Sequence, residues 1–415
     1  MDLIEKTVLR EDYLAWLREG KDRTDTVKVV TGMRRCGKST LIMQFIDELK
    51  ASGIPDNRIL HIDFDSEDYQ DLADYKEVRD VLKKNVSRTE RTYVFLDEVQ
   101  KIEGWEKNIK SLTADYNADV YVTGSNAYLL SSELATYISG RYLEIKMLPL
   151  SFKEYLVMNP VSAEKSVDQR FSEYLIYGSL PVIRPDIQSE RYMRGLLEGI
   201  YNTVLVRDVI TRLRLRSTAG IKKISGFLFS NIGNLTNIAS IAAAAGMSPT
   251  AVKNYVTALE EAYLFYKVSR FDVKGKKMLN TNEKYYAADT GVRNMMLGWS
   301  HGLDTGRLIE NVVCLELIRR GYQVVVGSYR DREVDLTAFM NGNTEYYQVA
   351  QSIMDPSTAE RESKVLDGIR DNNLKMILTM DRVRTSPGKG IRHVNVIDWL
   401  LNKHESEWHT GSWHL

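Results

Sequence analysis

The residues best placed to do chemistry lie in Gly32-Met33-Arg34-Arg35-Cys36-Gly37-Lys38-Ser39-Thr40. This stretch fits G-x-x-x-x-G-K-[ST] at every fixed position. The glycines let the backbone curl until its N–H groups face a phosphate. A helix opening at Lys38 would direct its positive dipole end at the same anion. Lys38 would reach the β- and γ-phosphates, and the Ser39 hydroxyl would hold Mg²⁺. Arg34 and Arg35 are either additional phosphate-facing charge or solvent-exposed loop cations. Cys36 fills a variable position and is given no role.

A second chemical pair follows the run Thr92-Tyr93-Val94-Phe95-Leu96, which ends in Asp97-Glu98. A buried strand closing on adjacent carboxylates suits a site beyond the carboxyl ends of parallel strands. Asp97 is expected to hold Mg²⁺ beside Ser39, through water, and Glu98 to polarise an attacking water as general base. No Asn/Thr-Lys-x-Asp guanine reader appears downstream, so ATP is favoured over GTP. The next strand, "DVYVTGSN", ends in Ser125-Asn126. Either could orient water near the γ-phosphate, or both could be a strand-end turn. Arg141 precedes another strand and reads as a γ-phosphate arginine, from the same subunit or a neighbour, or as a helix-terminal cation.

These groups need a scaffold that brings loop and strand ends together. Short apolar runs, "VKVVTG", "RILHIDF", "TYVFLDE", "ADVYVTGS" and "RYLEIKML", alternate with helical stretches. Helices are expected over 2–20, Lys38–Ala51, Tyr75–Ser87, Trp105–Tyr116 and Ser131–Ser139. Strands separated by helices predict a parallel sheet covered on both faces, an α/β three-layer domain.

Hydrophobic content of 43% supports sizeable cores in a chain of 415 residues. Lys+Arg and Asp+Glu both number 56, so no global basic field draws nucleic acid to the surface. Cys36 and Cys314 lie far apart and suggest no disulfide framework. The charged start lacks a signal-peptide core, and "IASIAAAAGM" is half a membrane span. A cytoplasmic protein without a membrane partner is expected.

"TGMRRCGKST", "FLDEVQKIEGWE", "VTGSNAYLLSSELATYISGRY" and "YGSLPVI" together resemble the prokaryotic AAA-type P-loop ATPases that carry a C-terminal domain of unknown function. The similarity spans about 10 to 400. It implies an ATPase domain over 1–150, a helical lid-like segment over 151–215, a winged-helix-like unit over 216–300, a nuclease-like α/β domain over 301–405 and a tail over 406–415. It carries over Gly32, Gly37, Lys38, Ser39, Asp97 and Glu98 as nucleotide-site positions. Ser125 or Asn126 and Arg141 follow as sensor and arginine-finger candidates.

Two later segments suggest recognition. In "LTNIASIAAAAGMSPTAVKNYVTALEEAYLFYKV", Thr236 could cap one helix and Ser248 a second, with Pro249 at its first position. Val252, Tyr255, Val256 and Leu259 make its buried face, leaving Lys253, Asn254 and Thr257 outward. A basic wing would add Arg270, Lys274, Lys276 and Lys277. Residues 248–277 are thus either a DNA-contacting face or a surface for packing on another domain or a protein partner. Upstream, Arg207, Arg212, Arg214 and Arg216 are either a solvated helix face or a γ-phosphate sensor.

Further on, Glu310 and Asp335 match two positions of a restriction-type metal site. The third reads Gln348-Val349-Ala350, which lacks the carboxylate and the lysine. Cleavage is therefore not expected of this domain. The leading expectation is Mg²⁺-dependent ATP hydrolysis. A nucleotide-gated DNA- or protein-binding switch is the alternative, and an oligomer is compatible with Arg141.

Overall fold

The computed structural model describes residues 7–69, 72, 74–127, 140–210, 218–299, 304–383, 385 and 387–403. The chain divides into two compact units, one of residues 1–149 with 261–263, the other of 150–260 with 264–415.

The first unit contains α1 (Glu11–Gly20), β1 (Val27–Thr31), α2 (Lys38–Ala51), β2 (Ile59–Asp63), α3 (Tyr75–Asn85), β3 (Thr92–Asp97), α4 (Glu106–Asp115), β4 (Ala118–Gly124) and β5 (Tyr142–Lys146). The five strands form one parallel sheet in the order β2-β3-β4-β1-β5. All five expected strands form, because each Val/Ile/Tyr-rich run can bury both of its faces.

Val27, Val29, Val94, Leu96, Val120 and Val122 pack on Val78 and Leu82 of α3 and Ile109 and Leu112 of α4. The alternate residues face the other way. Phe95 and Tyr121 stack at 4.7 Å and meet Phe45 of α2. Helices thus cover both faces. Lys28 sits on the α2 side, fully buried and paired with equally buried Asp119.

Expected helix bounds hold for α2 and shift by one or two residues for α3 and α4. The helix expected over 2–20 begins only at Glu11, and its predicted first residues, 2–6, lie outside the described residues. The helix expected over Ser131–Ser139 lies outside them altogether.

The second unit opens with α5 (Phe152–Met158), α6 (Val167–Tyr177), α7 (Glu190–Thr203) and a π-helical turn, Val204–Ile210. Then come α8 (Ala219–Ser230), α9 (Ile238–Ala245) and α10 (Pro249–Glu261). A mixed seven-stranded sheet follows. Its strands are β6 (Phe265–Asp272), β7 (Lys277–Ala287), β8 (Gln323–Tyr329), β9 (Arg332–Met340), β10 (Asn343–Val349), β11 (Leu374–Thr379) and β12 (Ile391–Asn395). They lie in the order β12-β11-β10-β9-β8-β6-β7. Helices α11 (Thr290–Met296), α12 (Thr305–Arg319), α13 (Pro356–Gly368) and α14 (Val396–Leu400) complete the unit.

The β6–β7 hairpin is the basic segment read as a wing. It does not stand apart, because β6 also pairs in parallel with β8 through Arg270, Phe271 and Asp272. The first helix of the preceding pair is capped by Asn237, not Thr236. Thr236 instead exchanges backbone hydrogen bonds with Glu283 of β7. Among the described residues no helix is long and apolar enough to cross a membrane.

Candidate functional site

Sheet register assembles the site. Thr31, the last residue of β1, lies opposite Gly124 of β4, and Leu96 of β3 lies opposite Val122. The phosphate loop therefore leaves the sheet beside Ser125, while Asp97 comes level with Thr123. β4 lies between the two motif-bearing strands.

Gly32 has φ +149°, and a Cβ there would stand 2.2 Å from the Met147 carbonyl oxygen. No larger residue fits without moving the loop or the chain after β5. Gly37 caps α2 in the left-handed region, without a side-chain hydrogen bond to the first turn. That turn contains no acidic residue, so its N–H groups are suited to an external anion. Beneath the loop, buried Arg10 donates to the carbonyls of Cys36 (3.1 Å) and Leu148 (2.9 Å). It clamps the loop to the chain after β5. Cys36 is buried, and burial pushes its thiol pKa up. Met33 is buried, and exposed Arg35 has φ +68°.

Lys38 is only 4% exposed. Its Nζ donates to the Gly32 carbonyl at 3.1 Å and lies 3.5 Å from Glu98 Oε1. Asp97, 1% exposed, accepts from the Thr123 hydroxyl at Oδ1. Its Oδ2 is buried without a hydrogen-bond partner. Burial raises the Asp97 pKa, outweighing the Ser39 and Thr123 hydroxyls that favour the ionised form. Ser39 thus stands beside a buried carboxylate with an uncommitted oxygen. A hard divalent cation takes such an oxygen and a hydroxyl as ligands, so these residues fit Mg²⁺.

Glu98 has φ +55°, the left-handed conformation, and begins the 3-10 turn Val99–Lys101. Its N–H donates to Thr123 Oγ1 at 3.0 Å. One threonine hydroxyl therefore fixes both members of the acidic pair. Burial pushes the Glu98 pKa up, but Lys38, Arg34 and the Gln100 amide together hold it below the ordinary value. Glu98 is charged and ready to accept a proton at neutral pH.

Ser125 accepts from Gln100 (3.2 Å) and from Arg34 (3.4 Å). Its hydroxyl joins the phosphate loop to the end of β3. Asn126 is buried next to it. Arg34 is not a solvent-exposed loop cation: it points inward and also lies 4.0 Å from Asp65. Thr40 is exposed on α2.

Arg141 lies at the other end of the sheet from the phosphate loop. Its carbonyl accepts from Val27 N–H at 3.0 Å, which fixes it at the opening edge of the sheet. The phosphate loop leaves the closing edge, about 16 Å away across five strand residues. Arg141 is exposed at the opening edge, at the opposite end of β1 from the phosphate loop. Arg207 is exposed on the π-helical turn, while Arg212, Arg214 and Arg216 lie outside the described residues.

Sequence reasoning passed over Thr123, Gln100 and Arg10. Thr123 carried a weak signal, since a threonine near the end of an apolar strand has a hydroxyl to place. Arg10 and Gln100 carried none.

In the second unit, Val252, Val256 and Leu259 of α10 are buried, and Lys253, Asn254 and Thr257 are exposed. Lys274, Lys276 and Lys277 are exposed around the hairpin turn. Glu310 accepts from Lys284 Nζ (2.9 Å) and the Tyr286 hydroxyl (2.7 Å), and Lys284 also reaches Glu333 at 2.7 Å. Asp335 accepts from Val349 N–H, and its own N–H donates to Gln348 Oε1. The Gln348 amide donates in turn to Glu362. Burial, then the charge of Glu310, raises the Asp335 pKa well above the carboxylate range. Gln348 is thus a bridge between β9 and α13, and Glu310 the partner of a buried lysine. The histidines of the tail lie outside the described residues.

Residues 24–156 match the model of an AAA domain, and residues 168–302 that of a domain of unknown function (DUF8612). An uncharacterized protein of Haemophilus influenzae is 38% identical over 402 residues, covering 95% of this chain and 98% of its own. A second, from Methanocaldococcus jannaschii, is 29% identical over 90% of this chain and 85% of its own. Among solved structures, Cdc6p from Pyrobaculum aerophilum aligns with a TM-score of 0.31 and 8% identity, over 76% of this chain and 97% of its own. AMPPCP-bound DnaA from Aquifex aeolicus gives 0.27 and 15%, over 63% and 93%. At these scores the structural likeness carries no functional weight. The 38% identity across nearly the whole length shows the family: the chain belongs with the Haemophilus influenzae protein, and it has an AAA domain over residues 24–156.

Proposed function

We propose that this protein binds ATP with Mg²⁺ and hydrolyses it to ADP and phosphate. The observation that carries the reading is the buried acidic pair at the end of β3, set against the phosphate loop. Asp97 offers an uncommitted oxygen beside Ser39, and Glu98 is held ionised next to Lys38.

The backbone N–H groups of Gly32–Thr40 would receive the phosphates, and Lys38 would turn from the Gly32 carbonyl onto the β/γ-oxygens. Ser39 and Asp97 would hold Mg²⁺, which supplies charge neutralisation when bound. As Lys38 moves, Glu98 loses its closest cation and becomes a better base toward water. Ser125 is the better-supported candidate for sensing the γ-phosphate, because it links Arg34 to Gln100; Asn126 stays as the neighbour. From the opening edge of the sheet, Arg141 is better placed for the site of another subunit than for its own.

The test is a pair of variants. Glu98→Gln should keep ATP affinity and lose turnover, whereas Lys38→Ala should lose tight ATP binding. A Lys38→Ala protein with unchanged affinity would remove this site from consideration.

A second reading is a nucleotide-gated DNA-binding switch. It is favoured by the outward face of Lys253, Asn254 and Thr257 and the basic hairpin turn. Duplex-DNA affinity with and without ATP, at two salt concentrations, separates it from an ATPase that acts on a protein. Plasmid incubated with Mg²⁺ or Mn²⁺ should stay intact, since Gln348 is committed to its neighbours and Lys284 to two carboxylates.

A further inference from the structure

Gln100 stands two residues beyond Glu98, on the turn that Glu98 begins. Its Nε2 donates to Glu98 Oε2 and to Ser125 Oγ, so both amide hydrogens are committed to the ends of β3 and β4. That pairing assigns the amide orientation. Turned over, the carbonyl oxygen would face the Glu98 carboxylate, acceptor against acceptor. In the assigned orientation Oε1 is buried and has no hydrogen-bond partner among the described residues. A buried carbonyl oxygen without a donor is unfavourable, and this one belongs to an amide held against the Glu98 carboxylate.

We propose that Gln100 Oε1 is the second acceptor for the attacking water, with Glu98 the first. This rests on the hydrolytic reading above. A water about to attack has two O–H bonds. One proton passes to Glu98 as the water oxygen bonds to the γ-phosphorus. The bond from that phosphorus to the β,γ-bridging oxygen breaks, and its electron pair leaves with ADP. The other O–H is retained, and its acceptor fixes the direction of attack. Glu98 alone leaves the water free to swing about one hydrogen bond. A carbonyl two residues away, on an amide locked by Glu98 and Ser125, removes that freedom. A neutral amide does so without competing for the proton.

The test uses the full chain with Gln100→Ala and Gln100→Glu, each checked for an unchanged thermal transition. Gln100→Ala should lower kcat by about 100-fold with ADP affinity within about twofold. It should also lose stable trapping of ADP with aluminium fluoride and Mg²⁺, a complex that mimics the γ-phosphoryl group with water in line. Gln100→Glu keeps an acceptor but sets a second carboxylate beside Glu98. Its acid limb in the pH–rate profile should therefore move to higher pH, which a purely packing role would not cause. Unchanged kcat in Gln100→Ala, or an equal loss of ADP affinity, overturns the proposal. A wild-type protein that binds ATP without turnover removes the hydrolytic reading instead. The Gln100 assignment then rests on trapping alone, and fails if wild type and Gln100→Ala trap alike.

Discussion

Replacing Thr123 by valine removes one hydroxyl and leaves the shape of β4 almost unchanged. That hydroxyl donates to Asp97 Oδ1 and accepts from Glu98 N–H at 3.0 Å. It is 1% exposed, so water cannot readily take its place. A hydrogen bond to a charged group contributes about 1.5–3 kcal/mol, and a buried N–H left unpaired costs about 1–3 kcal/mol. The added methyl recovers about 0.8 kcal/mol. The first unit should therefore lose about 2–5 kcal/mol at pH 8. The loss depends on pH in a definite direction. Asp97 already has a raised pKa, and without Thr123 it rises further. Protonation then relieves the uncompensated charge, so the variant should be penalised less at pH 5 than at pH 8. Urea denaturation at both pH values measures this, with amide exchange on β3 and β4 locating the effect. A destabilisation under about 0.5 kcal/mol at pH 8, or a larger one at pH 5, would refute the placement of this hydroxyl.

Further outcomes follow from the same geometry. Asp97→Asn should stabilise the nucleotide-free protein at neutral pH while abolishing Mg²⁺-dependent turnover. The folded-state pKa of Asp97 lies above its ordinary 3.8, so its ionisation opposes folding as pH rises through that folded value. The gain should vanish in melts near pH 4. Lys284→Met leaves Glu310 and Glu333 without their buried cation and should cost the second unit about 3–5 kcal/mol in urea melts. ATP affinity measured on the same protein should not change. Arg141→Ala should leave the nucleotide affinity of the monomeric chain within about twofold, in keeping with its place at the opening edge of the sheet; a large loss of affinity at monomer concentrations would contradict that position.

Legibility in the sequence tracked how local each determinant is. The phosphate loop and Asp97-Glu98 could be read because both are contiguous and both close an apolar run. The five strands were legible for the same reason. Thr123 and Gln100 were not, because their meaning depends on which strand lies beside β3. The contact from Thr123 to Asp97 spans 26 residues, and that from Arg34 to Ser125 spans 91. Nothing in composition states that β4 inserts between β1 and β3. Arg141 was ambiguous for the converse reason: a cation just before a strand gives no sign of which end of the sheet carries the site. Lys284, a buried cation of the second unit, reaches Glu310 across 26 residues, a pairing that the residues around Gln348 do not signal.

The insertion of β4 also bears on how the first unit comes into being. Neither neighbour of β1 in the sheet is next to it in the chain, and the Lys28–Asp119 pair closes a separation of 91 residues. Such pairings must overcome loop-closure entropy before they return any stabilisation, so they form slowly. The phosphate loop, Asp97 and Ser125 cannot meet until that closure is complete. A nucleotide held by all three recognises only the finished sheet, and it stabilises that sheet in proportion to the logarithm of its concentration over its dissociation constant. For this protein ATP would then act as a gauge of completed folding, favouring chains whose central strand is in place.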